Sequence, residues 1–335
     1  MATTIFGAAI ARGQASDVGP TEAVTFQSEN YTDFRQVFAR EASTAVVRIS
    51  ATLRFPEEAK KRYPAVVIVH TIAGYLPSNE GWHAAEFRKA GFATLTYDSF
   101  AARGLSEDAI IGAEGGPPWA SAVADAHGAL RLLVSHPKID ADRVAIVGFS
   151  FGGEVAHLTA FERLRSVLGS GQRRFAAHVA YYPAGVYGAV AEPGAYTGAP
   201  ILLLLGGKDD NLPVAKVADY LTYASAAGHA APIDLVIYPG AYHAWTVSSL
   251  ARRVSTRSTG VRENARSFYW RQAGRRCSST VRRSRLIRAF CQHAAVKVEG
   301  IPWPTTPRFV TTPPSMPWRS CIGTWGLERS LIRAA

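Results

Sequence analysis

Three polar residues in this sequence have the types and the order of a nucleophilic catalytic centre. Ser150 lies in the sequence GFSFG, Asp209 in GGKDD and His243 in YPGAYH. A serine hydroxyl is a weak nucleophile until a base takes its proton, and an imidazole does this when a carboxylate holds its ring in one tautomer. The three residues together therefore predict attack of a serine on a carbonyl carbon.

The segment around Ser150 has the pattern of a sharp strand-to-helix turn. The apolar run Val144–Val147 precedes Gly148, and the residues from Glu154 onward continue at helical spacing. Glycines two residues before and after the serine leave room where side chains would collide across the turn. GxSxG also occurs in ordinary Gly-rich turns, but this context favours a nucleophile elbow.

The elements that must position these residues alternate between strand and helix. Apolar runs predict buried strands at 65–70, 92–98, 144–147, 175–181, 201–205 and 233–238, and an antiparallel edge strand at 46–55. Helical spacing predicts helices at 81–90, 119–136, 213–227 and from the elbow to about residue 168. This repetition predicts an α/β fold, a mostly parallel twisted sheet with helices on both faces.

Each candidate catalytic residue follows the end of a predicted strand. In an open parallel sheet, catalytic groups gather outside the carboxyl ends of the strands. The order serine, acid, histidine along the chain is that of the α/β-hydrolase fold and differs from both familiar serine-protease orders. Asp209 could instead cap a turn or helix, Asp210 beside it could be the acid, and His243 could be an ordinary loop histidine.

A tetrahedral intermediate also needs backbone N–H groups that face its negative oxygen. The residue after the nucleophile, Phe151, supplies one in this type of site. The second should come from the loop after strand 65–70, from Thr71 or Ile72.

Six motifs in order resemble the dienelactone hydrolase family of α/β-hydrolases, in a serine-nucleophile form. They are VIVHTIAG (67–74), YDSFxxRG (97–104), DAxGALR (125–131), GFSFGG (148–153), GKDDxxP (207–213) and YPGAYHAW (238–245). The resemblance runs from about residue 22 to about residue 247. It implies hydrolysis of a small ester or lactone, with no metal and no organic cofactor. Apart from the resemblance, we expect a monomer or homodimer in the cytoplasm, and the N-terminal sequence leaves export open as the alternative.

The same resemblance bears on substrate binding. Family members that hydrolyse dienelactone carry a cysteine in place of Ser150 and a glutamate in place of Thr71, which argues against dienelactone itself as the substrate. Arg103 lies near where those enzymes hold a substrate carboxylate with an arginine, although its spacing from Asp98 differs by a residue and a surface role fits equally. His70 is the other candidate for substrate contact.

Composition divides the chain into a body and a tail. The 335 residues carry a formal charge of +11, but residues 251–335 hold 17 lysines and arginines against 3 acidic residues, whereas residues 1–250 hold 20 against 23. The tail also contains all three cysteines and four of the seven tryptophans. No run approaches the roughly 20 apolar residues of a membrane span.

We therefore expect one catalytic domain at 22–250, flanked by a disordered or mis-started segment 1–21 and a basic, poorly ordered tail 251–335. The family's last amphipathic helix is not apparent after His243, and the arginine-rich tail suggests an out-of-frame translation. Two alternatives follow: a hydrolase scaffold impaired by a defective C-terminus, and a nucleic-acid binder that uses the tail. The mildly acidic body makes nucleic acid the weaker alternative.

Overall fold

A computed structural model describes residues 19–106, 118–169, 171, 173–186, 194–226 and 233–247. The strands are β1 Thr21–Asn30, β2 Ala45–Arg54, β3 Tyr63–Val69, β4 Ala93–Tyr97, β5 Ile139–Phe149, β6 Ala177–Tyr181, β7 Ile201–Gly206 and β8 Ile233–Tyr238. The α-helices are α1 Phe34–Phe38, α2 Trp82–Lys89, α3 Trp119–Ser135, α4 Phe151–Leu158, α5 Glu162–Leu168 and α6 Val214–Ala226. A π turn at Pro77–Gly81 leads into α2, and a 3₁₀ turn covers Ala101–Arg103.

All eight strands form one sheet in the order β1-β2-β4-β3-β5-β6-β7-β8. β1 and β2 pair antiparallel, as do β2 and β4, and every later pair is parallel. The α/β-hydrolase fold predicted from the sequence is confirmed.

Side chains from the central strands are buried on both faces of the sheet. In β3, Val67 and Val69 pack into one core cluster with α3, while Val66 and Ile68 pack into a second cluster with α2. A strand covered on both faces is apolar at every position, which explains the unbroken runs in the sequence. A third cluster joins β7 to α6.

Three differences from the sequence prediction concern the edge of the sheet and one helix. β1 and α1 were not predicted, because β1 is half exposed and its apolar residues are sparse. The strand predicted at 46–55 is therefore not at the edge: β2 lies between β1 and β4. The single helix predicted after the elbow is two helices, because Phe161 is extended and bridges to Tyr196.

The parallel register brings the carboxyl ends of the central strands to one level. Val69 pairs with Gly148, Phe149 with Tyr181, and Gly206 with Tyr238. The loops that carry the candidate catalytic residues thus leave the sheet at the same edge.

Two predicted segments lie wholly or partly outside the described residues. The N-terminal segment 1–21 is described only from residue 19, and the tail 251–335 is not described, so both remain predictions. None of the helices in the described ranges combines the length and apolar composition needed to cross a bilayer.

Candidate active site

Ser150 occupies the sharp turn between β5 and α4. Its backbone has φ 52° and ψ −109°, a region that residues other than glycine rarely adopt. A Cβ at Gly148 would lie 1.8 Å from the Gly152 carbonyl oxygen, and a Cβ at Gly152 would lie 2.4 Å from that of Val69. The two flanking glycines are thus required by close backbone contacts, as the elbow pattern predicts.

The structure brings Ser150, Asp209 and His243 together from three separate loops. His243 Nε2 lies 2.8 Å from Ser150 Oγ, and His243 Nδ1 lies 2.8 Å from Asp209 Oδ2. A carboxylate can only accept, so the ring proton lies on Nδ1 and leaves Nε2 free to accept the serine proton. This arrangement can activate Ser150 as a nucleophile.

Asp209 uses its two oxygens for different partners. Oδ2 accepts from His243, while Oδ1 accepts the backbone N–H groups of Asn211 at 2.9 Å and Leu212 at 3.0 Å. The sequence left turn capping and histidine orientation as alternatives for this residue, and its geometry fits both. Asp210, the alternative acid, is exposed to solvent.

The hydrogen bonds made by the backbone amides after β3 indicate which of them could be the second oxyanion donor. The Thr71 N–H donates to Glu80 Oε1 at 3.1 Å, so it is already engaged. The amides of residues 73–76 also have acceptors: Ala73 and Gly74 donate to Thr71, Tyr75 to Asp98 and Leu76 to Glu80. Among the described residues only the Ile72 N–H of this loop lacks an acceptor.

Phe151 is the first residue of α4, so its N–H has no acceptor within its own helix. The Gly152 N–H donates to the His70 carbonyl at 3.0 Å, which ties the start of α4 to the end of β3. The Phe151 and Ile72 amides therefore belong to two segments that are joined directly beside Ser150.

Comparison with known proteins agrees with this architecture. The family model for the dienelactone hydrolase family matches residues 49–273. The chain belongs to the dienelactone hydrolase family. Membership makes it an enzyme, a carboxylic ester hydrolase. The match continues past residue 250, where we placed the end of the domain, into residues that the structure does not describe.

Solved structures share the dienelactone hydrolase fold. A dienelactone hydrolase-like promiscuous phosphotriesterase from metagenomic libraries has a TM-score of 0.53 at 18% identity, covering 75% of this chain and 95% of its own. A candidate dienelactone hydrolase from Klebsiella pneumoniae subsp. pneumoniae MGH 78578 has a TM-score of 0.50 at 18% identity, covering 75% and 96%. A search of curated proteins gave no significant match.

In this dienelactone hydrolase-family protein, His70 does not lie where a substrate can reach it. The side chain is fully buried, Nδ1 lies 2.6 Å from the Thr71 carbonyl oxygen, and Nε2 accepts the Ser99 N–H at 2.9 Å. Its ring packs against Phe100 and Phe151. The expected substrate contact of His70 has no support in this geometry, because both ring nitrogens are hydrogen bonded to the backbone.

Arg103 also has a different environment from the two that the sequence suggested. Its guanidinium forms a two-pronged ion pair with Asp125, with both N–O distances 2.8 Å, and side-chain exposures of 7% and 0%. It also donates to Asn30 Oδ1 and to the Ser99 carbonyl. Arg103 is thus neither a surface arginine nor free to bind a substrate carboxylate, since it joins the end of β1 to α3.

The loop that carries His243 is held by residues that sequence reasoning missed. The Lys208 N–H donates to the Ala241 carbonyl at 2.9 Å, and the Tyr182 hydroxyl is hydrogen bonded to that of Thr246. The Tyr182 ring lies 5.2 Å from the His243 ring and 4.6 Å from Trp245. Tyr182 follows β6 and Lys208 follows β7. Residues before position 247 therefore hold the described part of this loop in place.

Two buried glutamates near the site were also missed, because a single carboxylate has no sequence signal. Glu80 lies under the loop after β3, and Glu154 lies in the first turn of α4, where it accepts the Gly185 N–H at 3.1 Å. Burial raises the pKa of Glu154 to about 7, although the Gly185 bond acts in the opposite direction. No group of three or more His, Cys, Asp or Glu in the described ranges is placed to hold a metal ion.

Proposed function

We propose that this protein is a serine hydrolase that cleaves a small ester or lactone through an acyl-enzyme intermediate. The observation that carries the proposal is the continuous pair of contacts, 2.8 Å each, from Ser150 through His243 to Asp209. Serine, base and orienting acid in contact are the requirement for nucleophilic catalysis by a hydroxyl group.

The first half of the reaction forms the acyl-enzyme. Ser150 Oγ attacks the substrate carbonyl carbon while its proton passes to His243 Nε2, and Asp209 stabilises the resulting imidazolium. The carbonyl oxygen becomes negative and accepts the N–H groups of Phe151 and Ile72. The intermediate collapses, the bond to the leaving alcohol breaks, and His243 returns the proton to that alcohol.

The second half releases the acyl group. A water molecule gives a proton to His243 and attacks the acyl carbon, and the same two amides hold the second oxyanion. Collapse breaks the bond to Ser150 Oγ, which recovers its proton from His243. For a lactone, the leaving alcohol remains part of the product, which is a hydroxy acid.

Labelling by a fluorophosphonate tests the nucleophile. We expect the full-length protein to be labelled and Ser150→Ala to be neither labelled nor active against p-nitrophenyl esters. Ser99→Ala is a matched control, because the Ser99 hydroxyl is buried and has no hydrogen-bond partner among the described residues. A folded wild-type protein that resists the probe, or a Ser150→Ala variant that is still labelled, would contradict the proposal.

The acyl specificity follows from the same experiment extended to substrates. A series of p-nitrophenyl esters of increasing chain length, together with several lactones, should show the highest kcat/KM for small members. A preference for long acyl chains would contradict the small-substrate part of the proposal.

A further inference from the structure

Glu80 is fully buried and connects the two ends of the loop that presents Ile72. Its Oε1 accepts the N–H of Thr71 at 3.1 Å, and its Oε2 accepts the N–H of Leu76 at 2.9 Å. The loop between these residues contains a tight turn in which Gly74, at φ 77°, donates to the Thr71 carbonyl. The carboxylate therefore closes the loop from inside the protein.

The position of Glu80 depends on an unusual local backbone. The residue lies in the π turn Pro77–Gly81, and such turns redirect side chains that a regular helix would send elsewhere. Asn79, also fully buried, donates its side-chain amide to Glu80 Oε1 at 3.1 Å. Three N–H donors thus converge on one carboxylate.

The donors also fix the chemical form of Glu80 that the loop needs. Burial raises the pKa of Glu80, although the N–H groups of Leu76, Asn79 and Thr71 act in the opposite direction by stabilising the charged form. All three groups that contact its oxygens are donors, so the side chain must offer acceptors on both sides. A glutamine has one acceptor and one donor, and would leave one loop amide facing another N–H group.

We propose that Glu80 is a positioning residue that holds the loop 71–76 so that the Ile72 N–H faces the oxyanion of the reaction. This inference rests on the serine hydrolase function proposed above. An oxyanion donor must lie within about 2.7–3.1 Å of the reacting oxygen, and a displacement of about 1 Å reduces the rate by about 100-fold. Glu80 contacts neither substrate nor nucleophile, and its effect passes through the backbone.

The test compares Glu80→Gln with wild type after the active sites of each have been counted by fluorophosphonate labelling. We expect kcat for a p-nitrophenyl ester to fall by about 10- to 100-fold, less than the loss of a whole donor, with KM changed less than about threefold. The matched control is Glu154→Gln, which alters a second buried glutamate in α4 without touching the loop.

A trifluoromethyl ketone supplies a measurement that a general structural defect would not change. Ser150 Oγ adds to its carbonyl carbon, the serine proton moves to His243, and the carbonyl oxygen becomes the oxyanion that the two amides bind. We expect Glu80→Gln to raise the inhibition constant per active site by the same factor as kcat falls. Glu154→Gln should leave the ratio of the inhibition constant to kcat unchanged.

The outcomes separate this inference from the proposed function. A wild-type protein without labelling or esterase activity would overturn the function itself. If wild type is active but Glu80→Gln keeps kcat and the inhibition constant within twofold, or loses kcat with an unchanged inhibition constant, the role of Glu80 is wrong. If Glu80→Gln does not fold, Asn79→Ala replaces it in the test. This variant removes one donor to Glu80 and keeps both bonds to the loop, so kcat and the inhibition constant should change in the same directions but by smaller factors.

Discussion

Asp209 binds the turn before α6 through one oxygen and His243 through the other, so its structural and catalytic contributions can be separated by one substitution. In Asp209→Asn, the amide oxygen can keep the bonds to Asn211 and Leu212, while the amide nitrogen faces His243 Nδ1. The ring would then carry its proton on Nε2 and could not accept one from Ser150.

We therefore expect Asp209→Asn to lower kcat by about 10⁴-fold with little change in melting temperature. The matched control is Asp210→Asn, which replaces an exposed carboxylate. This variant should keep its activity, and its free energy of unfolding should change by less than about 0.5 kcal/mol. Steady-state kinetics and thermal unfolding of both variants measure this. A large loss of activity in Asp210→Asn alone would assign the acid to the other aspartate.

The backbone of Ser150 predicts a difference between two inactive variants. In Ser150→Ala the alanine would keep the φ of 52°, which costs a residue with a Cβ on the order of 1–3 kcal/mol, whereas glycine adopts this region freely. The larger conformational entropy of glycine in the unfolded chain offsets about 0.5–1 kcal/mol of the stability gained by removing this strain. We expect Ser150→Gly to melt about 2–4 °C above Ser150→Ala. Equal melting temperatures would show that the turn is unstrained.

At the scale of elements, the close contact between the elbow and β3 makes Gly152 sensitive to a single methyl group. A Cβ there would lie 2.4 Å from the Val69 carbonyl oxygen and 2.6 Å from that of His70, both backbone atoms that cannot move independently. We expect Gly152→Ala to destabilise the protein by at least about 2 kcal/mol and to slow fluorophosphonate labelling.

Gly185→Ala is the control for this prediction, because the nearest atom to an added Cβ is 4.0 Å away. It should melt close to wild type and keep the wild-type labelling rate. If Gly152→Ala behaves in the same way as Gly185→Ala, the packing of the elbow against β3 is looser than the distances indicate.

The sequence predicted the central strands and the candidate triad because their signals are local. Buried parallel strands are apolar throughout, and Ser150, Asp209 and His243 each follow such a strand directly. The strand β1 and the break at Phe161 were missed, because both depend on pairing with distant segments. The partners of Arg103 and His70 were missed for the same reason, because they lie up to 73 residues away along the chain.

At the scale of the whole molecule, three buried histidines make stability depend on pH. Burial lowers the pKa of His127 and His157 to about 3 and that of His178 to about 4. The unfolded chain, with pKa values near about 6.5, binds more protons than the folded chain in this range, so stability falls as the pH decreases below about 6.5. At pH 5 each histidine costs about 2 kcal/mol.

Glu154 acts in the opposite direction, because its raised pKa of about 7 means that the folded state binds its proton first and gains stability as the pH falls. For these four groups together, we expect a loss of about 3 kcal/mol between pH 7 and pH 5. Urea unfolding at pH 7, 6 and 5 measures it. His157→Gln removes one titrating ring and should reduce this loss by about 2 kcal/mol, and stability that is independent of pH would contradict the prediction.

The positive φ of Ser150 also sets stability against chemistry at this position. At this backbone conformation a glycine would remove the strain, at the cost of chain entropy and of the hydrogen bond to His243. The chain thus holds a strained backbone at a position that offers a hydroxyl group to His243, which is what the proposed reaction requires.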